Sequence, residues 1–362
     1  MKRKQEIKYR KASVHSSIFG KGRLLKGGLL LLLILMLIFP IASLEGAKSG
    51  LMLWFETVLP ALLPFMILSG LLIRLRVTKV VSVFLYPVLK HLFPISKEGC
   101  YPIFIGFLSG IPVGAKTTAD MFEQQLISKK EAQFLCALCN NASPMFIISY
   151  IAASKLKRPD LGYMLLIVLF ASSAVSSLII YYIKEKFSKK KETSKINQNK
   201  SLLHAFQLSN DTDDNISNHK IIPQNPAVIV KQKHAFEFHM LDDAILSGFE
   251  VVTKVGGYII LFSVLASLLL HMKLLPPFVA AFISAILEIT TGIDQLSRIP
   301  FPDSTKIILI TTITAFGGLS GFAQTKSVIN TSGLSLFQYF ITKTLSMVCA
   351  FAFSTLYVLL LL

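Results

Sequence analysis

Charged residues are scarce in this sequence: Asp, Glu, Lys and Arg make up 16% of its 362 residues, whereas soluble domains carry roughly 25%. Hydrophobic residues make up 53% of the chain and lie in long apolar runs. This composition excludes an ordinary soluble domain. It predicts an all-α polytopic membrane protein whose main partner is the lipid bilayer, because a helix satisfies its own backbone hydrogen bonds in lipid.

Cysteine is also scarce, with four residues in the chain: Cys100, Cys136, Cys139 and Cys349. Such a small number gives no disulfide framework. Cys136 and Cys139 form a lone CxxC within an apolar helix, and a metal or redox site would need further ligands that the neighbouring sequence does not offer. We interpret the pair as small packing residues, and we predict no metal and no cofactor.

Acidic residues are outnumbered by basic ones, 20 against 37, and the formal net charge is +17. The basic residues crowd into the N-terminal tail, residues 74–97 and the stretch that begins at 184. This is the positive-inside pattern of a multi-pass protein of the cell membrane, and it predicts a cytoplasmic N-terminus. No basic stretch is interleaved with aromatic residues for base stacking, so we predict no nucleic-acid partner.

The alternation of apolar and polar segments divides the chain into four parts. They are a basic cytoplasmic tail (1–26), a first membrane half (27–183), a polar, largely disordered cytoplasmic linker (184–240) and a second membrane half (241–362). Residues 51–75 run outside to inside and residues 242–271 inside to outside under the positive-inside rule. We therefore predict two halves of inverted topology with re-entrant or broken helices, as in many transporters.

The most informative stretch is the string GFLSGIPVGAK, residues 106–116. Glycine and proline break the helical ladder, and unpaired backbone groups are costly in lipid, so the string predicts a re-entrant hairpin around a polar site. The alternative is a close helix crossing built from small residues. A related string, GGLSGFAQTK, occupies residues 317–326 of the second half. The candidate substrate-binding residues in the two strings are Gly106, Ser109, Gly110, Pro112, Gly114, Lys116, Ser320, Gly321 and Gln324.

A second interruption lies at Asn140, Asn141 and Ser143, immediately before Pro144. Pro144 blocks a ladder hydrogen bond and disfavours helical geometry at the residue before it. The two asparagines and the serine are candidate substrate-binding groups at a helix break. Hydrogen bonding that only locks helices together is the alternative for them.

Glu288 is an acidic residue deep in an apolar segment. Its insertion costs about 2.5–3.5 kcal/mol, so it requires a partner or a function. Coupling to a proton or cation is the functional interpretation. A structural ion pair with Lys254, Lys116 or Lys326 is the alternative.

Residues 318–321 read Gly-Leu-Ser-Gly and match the nucleophile motif of rhomboid-type intramembrane proteases. A serine nucleophile needs a base within hydrogen-bond reach, and in that family the histidine comes from a later helix. Every histidine of this chain precedes Ser320, and the last is His271. We therefore predict that the protein is not an enzyme.

Three strings together resemble the YlbJ family of sporulation integral membrane proteins: residues 106–116, CNNASPMF at 139–146 and GGLSGFAQ at 317–324. The resemblance covers roughly residues 25–183 and 240–362; it departs at Ile111, where an aromatic residue is expected. It implies an endospore-forming bacterium, a role in spore formation, and two Gate-like halves of the "nucleoside recognition" group. Gate domains are related to concentrative nucleoside transporters and to the pore of ferrous-iron transporters.

Two functions follow as expectations. The first is a transporter or channel-like protein for a small polar solute, nucleoside-like or an ion, used during sporulation. The second is a non-transporting membrane scaffold for assembly of the spore cortex or coat. A homo-oligomer is compatible with both.

Overall fold

The computed structural model describes residues 26–75, 78–207 and 237–361, and within these ranges the chain is helical without a β-strand. Four of the described helices are long and apolar enough to cross a membrane, or five when the bent pair at the N-terminal end is one span. The prediction of an all-α polytopic membrane protein is confirmed.

The described part of the first half contains eight α-helices, two π-helical stretches and a short 3-10 helix, Pro159–Leu161. The α-helices are α1 (Lys26–Ile38), α2 (Pro40–Leu53), α3 (Leu59–Arg74), α4 (Thr78–Leu92), α5 (Cys100–Ser109), α6 (Val113–Glu123), α7 (Lys129–Leu138) and α8 (Gly162–Gln207). One π-helical stretch, Trp54–Val58, joins α2 to α3, and the other, Phe146–Lys155, follows α7. A bend of 106° separates α1 from the helix that begins at Pro40.

The second half contributes six helices. They are α9 (Phe238–His271), α10 (Pro277–Leu287), α11 (Ile289–Arg298), α12 (Asp303–Phe316), α13 (Gly318–Ile329) and α14 (Leu336–Leu361). The predicted linker begins at 184, but α8 continues to Gln207 before the described chain stops. The predictions for residues 1–25 and 208–236 lie outside the described residues.

Helices α5 and α6 pack side by side as a helical hairpin, called hairpin 1; that it is re-entrant stays a prediction. Each helix is about 15 Å long, half of a bilayer core. Gly110, at the turn, has a φ of +80°, a conformation that glycine adopts without the steric cost of a Cβ atom. A Cβ on Gly114 would come 3.1 Å from the Cα of Gly106, so the two arms pack side by side on either side of the turn.

A second hairpin, hairpin 2, is formed by α10 and α11 around Glu288, which has an extended backbone. A Cβ on Gly292 would come 2.0 Å from the Cα of Ala285, so these arms also pack closely. The string around Gly317 resembles that of hairpin 1 and predicts a second hairpin there, and the structure corrects this prediction. Gly317 interrupts one 27-residue span made of α12 and α13 rather than reversing the chain.

Apart from α4, which has no counterpart between α9 and hairpin 2, the same order of elements occurs twice along the described chain. In the first half, α3 precedes hairpin 1, the interrupted helix made of α7 and Phe146–Lys155, and the long helix α8. In the second half, α9 precedes hairpin 2, the interrupted helix made of α12 and α13, and α14. Each half thus supplies one hairpin turn and one helix break.

Helix α9 packs along α2 and α3 and joins the two halves. The contact uses glycines: a Cβ on Gly50 would come 2.8 Å from the Cα of Ile260, and one on Gly256 would come 2.6 Å from the Trp54 ring. Small residues let membrane helices approach closely. The Trp54 indole N–H donates a 2.8 Å hydrogen bond to the carbonyl of Val252, which fixes the approach of the two helices.

Candidate functional site

The two hairpin turns and the two helix breaks meet around a cavity of about 430 Å³, called the central cavity. At hairpin 1, the backbone N–H of Ile111 donates a 2.8 Å hydrogen bond to the carbonyl of Asn141 in the first helix break. The Ile111 side chain also reaches the second break, since a Cβ on Gly317 would come 3.2 Å from its Cδ1 atom. One turn therefore contacts both helix breaks.

Hairpin 2 completes the convergence. A Cβ on Gly318 would come 3.3 Å from the backbone nitrogen of Ile289, just after the turn at Glu288. The Tyr150 hydroxyl donates a 3.0 Å hydrogen bond to the carbonyl of Thr290. The second turn thus lies against the start of α13 and against the π-helical stretch that follows α7.

Six of the sequence-predicted residues line the central cavity: Ser109, Ser143, Glu288, Ser320, Gly321 and Gln324. Gln324 donates its amide N–H to the Ser320 hydroxyl oxygen at 3.1 Å. The Ser109 hydroxyl is buried and has no hydrogen-bond partner in the described part of the chain. A buried hydroxyl without a partner costs free energy, so a bound polar group or a water molecule would stabilise it.

Glu288, which is 2% exposed, is the N-cap residue of α11. Its carboxylate accepts a 2.7 Å hydrogen bond from the backbone N–H of Thr291, and the free amides and dipole of the helix start stabilise a negative charge there. Within the described ranges no basic side chain pairs with it. Two of the expected partners pair elsewhere, Lys254 with Glu250 and Lys116 with Asp120.

Two predicted residues, Gly106 and Gly114, lie outside the cavity wall. A Cβ on either would come within 2.2 Å of the Cys139 carbonyl oxygen, so no side chain fits between hairpin 1 and the end of α7. Their location agrees with the close-packing alternative. Cys136 and Cys139 are buried and free, and the Cys139 backbone forms the surface against which the two glycines pack.

Both predicted asparagines are buried in a hydrogen-bond network behind the cavity. The Asn140 amide N–H₂ donates to the hydroxyls of Thr325 and Tyr339, each at 2.8 Å. Asn141 donates to the Leu138 carbonyl at 2.7 Å and accepts a 2.7 Å hydrogen bond from the Lys343 ammonium. These bonds join the first helix break to α13 and α14 of the second half.

The remaining predicted residues belong to hairpin 1. Gly110 and Pro112 form its turn, and a Cβ on Gly110 would come 2.7 Å from the backbone nitrogen of Ser143. Lys116 lies further along α6, where it pairs with Asp120 in the wall of a smaller cavity. None of these three residues is part of the central cavity wall.

Two ionisable residues at the site were missed from the sequence. Lys343 is 1% exposed and lies inside α14, which the sequence presents as a plain final span. Glu56 lines the central cavity from the π-helical turn between α2 and α3, a local geometry that is frequent at functional sites. In each case the available signal was a charged residue within an apolar run, the signal that had identified Glu288.

The chain is 29% identical to the sporulation integral membrane protein YlbJ of Bacillus subtilis (strain 168), over 334 residues that cover 87% of this chain and 77% of the relative. This similarity supports membership of the YlbJ family. The family resemblance of the three strings and the prediction of a multi-pass membrane protein are therefore confirmed. No family model and no solved structure matched the chain. The Gate-domain grouping of the YlbJ family stays a prediction.

Proposed function

We propose that the protein is a transporter or channel-like protein for a small polar solute, nucleoside-like or an ion, and that it acts in spore formation. The observation that carries this proposal is the meeting of two hairpin turns and two helix breaks around one central cavity. Its sporulation role rests on the relative, which is named as a sporulation integral membrane protein.

Interrupted helices are costly inside a membrane, because each unsatisfied backbone group in lipid costs several kcal/mol. Four interruptions at one place are therefore hard to account for by packing alone. Helices α6, α11 and α13 begin beside the cavity, and the first N–H groups of a helix lack partners within that helix. Together with Ser109 and Ser320 they offer hydrogen-bond donors to a polar solute. The repeated order of elements supports the further proposal that the two halves have inverted topology.

Glu288 is the residue to which we assign ion coupling. It lines the cavity, it has no basic partner in the described chain, and the start of α11 favours its ionised form. A carboxylate held in this way can accept a proton or a cation from the cavity without breaking an ion pair. Release of the bound proton or cation then couples the movement of that ion to the movement of the solute.

The proposal is tested by solute uptake into proteoliposomes, with nucleosides, amino acids and divalent cations as candidate solutes. We expect at least one solute to enter faster than in empty vesicles, and we expect Glu288→Gln to abolish its uptake. Glu250→Gln is the matched control, because Glu250 is exposed on α9 and pairs with Lys254. If no candidate solute enters, the transport proposal fails and a membrane scaffold for cortex or coat assembly takes its place. Equal uptake by Glu288→Gln and the control would contradict the ion-coupling role of Glu288.

A further inference from the structure

A second, smaller cavity of about 180 Å³, called the polar vestibule, lies between α3, α6 and α9. Its wall includes the side chains of Ser69, Arg74, Lys116, Asp120 and Gln124. Near it, Arg74 on α3 forms a 2.8 Å ion pair with Asp243 at the start of α9. The vestibule is therefore polar and charged, and it lies where the end of α3 meets the start of α9.

The polar vestibule and the central cavity follow one another along the same elements. On α3, Leu62 lines the central cavity, and residues from Met66 to Arg74 line the vestibule. On α9, which runs the opposite way, Ile259 lines the central cavity and Gly248 lines the vestibule. Eleven residues of helix correspond to roughly 16 Å, so the two spaces are displaced along the helix axes.

Hairpin 1 repeats this order. Ser109 and Ile111 at its turn line the central cavity, whereas Val113, Lys116 and further residues of α6 line the vestibule. On each of three elements, which come from both halves of the chain, residues that line the central cavity are thus followed along the axis by residues that line the vestibule. This agreement indicates one continuous track between α3, hairpin 1 and α9 rather than two unrelated cavities.

Along these three elements, four buried apolar residues come between the lining of the central cavity and the polar lining of the vestibule, and we call them the septum. It consists of Met66 on α3, Val113 at the start of α6, and Val252 and Val255 on α9, all buried in one hydrophobic cluster. Beyond it on the vestibule side, the Ser69 and Thr117 hydroxyls lie 3.3 Å apart and link α3 to α6. A polar solute cannot cross buried aliphatic side chains without losing its hydration, so the septum closes the track.

We propose that the polar vestibule is the second opening of the permeation path and that the septum is its closed gate. The inference rests on the proposed transport function, because it assigns to the same small polar solute a path from the central cavity past Met66 and Val113 to the surface near Arg74. Opening requires hairpin 1 to separate from α3 and α9, which would part Val113 from the rest of the septum.

The test is labelling of single introduced cysteines by a membrane-impermeant thiosulfonate added to either face of sealed vesicles, with the labelled site identified by mass spectrometry. Gln124→Cys reports on the vestibule, because Gln124 lines it and is exposed, and Ser143→Cys reports on the central cavity. We expect the two cysteines to be labelled from opposite faces. Labelling of both from the same face overturns the proposal.

The septum is tested by adding Met66→Ala to the Ser143→Cys chain. We expect at least a tenfold faster labelling of that cysteine from the vestibule face, because truncation joins the two spaces. Leu68→Ala is the matched control, since Leu68 is 54% exposed on α3 and should change nothing. Val113→Ala is a smaller truncation of the opposite wall, for use if Met66→Ala does not assemble. Unchanged labelling in an assembled septum variant overturns the proposal.

This result is distinguishable from a failure of the transport proposal. If Met66→Ala opens the septum but no solute enters proteoliposomes, the connection between the two cavities is supported and the transport proposal is contradicted. If solute enters but the septum variants label like the control, transport stands and its path lies elsewhere.

Discussion

Asn141→Ala should destabilise the protein strongly, because it removes the acceptor that holds a buried lysine. The Lys343 ammonium donates a 2.7 Å hydrogen bond to the Asn141 side-chain carbonyl, and in the described chain no acidic side chain pairs with Lys343. Leaving a buried polar group without its partner costs roughly 1–3 kcal/mol, and more when the group is charged. We therefore expect Asn141→Ala to lower the free energy of unfolding by about 3 kcal/mol.

Replacing the lysine as well should recover most of that loss. Methionine has a similar shape and no charge, so Lys343→Met in the Asn141→Ala chain removes the unpaired cation rather than creating one. Lys343→Met alone leaves only the neutral Asn141 carbonyl without its donor, and we expect it to cost about 1 kcal/mol. The double variant should then be more stable than Asn141→Ala alone, by about 1 kcal/mol or more.

The measurement is reversible unfolding in mixed detergent micelles, followed by circular dichroism for the four chains of the double-mutant cycle. Thr344→Ala on α14 is a control, because its hydroxyl bonds only to the Phe340 carbonyl of its own helix. Strictly additive losses from Asn141→Ala and Lys343→Met would refute the reasoning, since they would mean that the two side chains do not interact in the folded protein.

Two further predictions concern the hairpin turn and the serine motif. Gly110→Ala should lower the free energy of unfolding by more than about 1–3 kcal/mol, the cost of a side chain at a φ of +80° and ψ of −156°, because its Cβ would also lie 2.7 Å from the Ser143 nitrogen. Gly257→Ala on α9 is the control, because its Cβ would meet no atom within 4 Å, and it should be neutral or stabilising by up to about 1 kcal/mol. Equal losses of stability in the two variants would contradict this prediction. Ser320 should not react with a fluorophosphonate, because its hydroxyl contacts the Gln324 amide, which is not a base; labelling that Ser320→Ala abolishes would instead support a nucleophile.

The first hairpin and the two helix breaks were predictable because glycine and proline mark them in the sequence. Gly110 and Gly317 adopt positive φ angles at which a helix ends, Pro144 lacks the N–H of a ladder hydrogen bond, and the structure interrupts its helices beside all three. Hairpin 2 carries no such residue at its turn. Glu288 reverses the chain there with an extended backbone and a side chain that caps the next helix, a combination that the sequence presents as a single acidic residue in an apolar segment.

The network behind the cavity was not predictable for a different reason. Asn140 and Asn141 were identified as polar groups at a helix break, but their partners Thr325, Tyr339 and Lys343 lie at least 185 residues away in sequence. No spacing rule connects residues that far apart. Only the packing of α7 against α13 and α14 determines that the asparagines bond to protein groups instead of facing the cavity.

The two Gly-x-x-Ser-like strings illustrate how the same residues give different structures. Gly110 and Gly317 both have positive φ angles, of +80° and +85°, but Gly110 has a ψ of −156° whereas Gly317, with a ψ of 3°, is in the left-handed helical region. After Gly110 come Ile111 and Pro112, and the next helix begins only at Val113. After Gly317 comes Gly318, which is the first residue of the next helix. The chain therefore turns back at the first string and continues at the second, yet Ser109 and Ser320 line the same cavity. Local residues determine where each helix ends, whereas the packing of both halves around α9 brings these helix ends together at the central cavity.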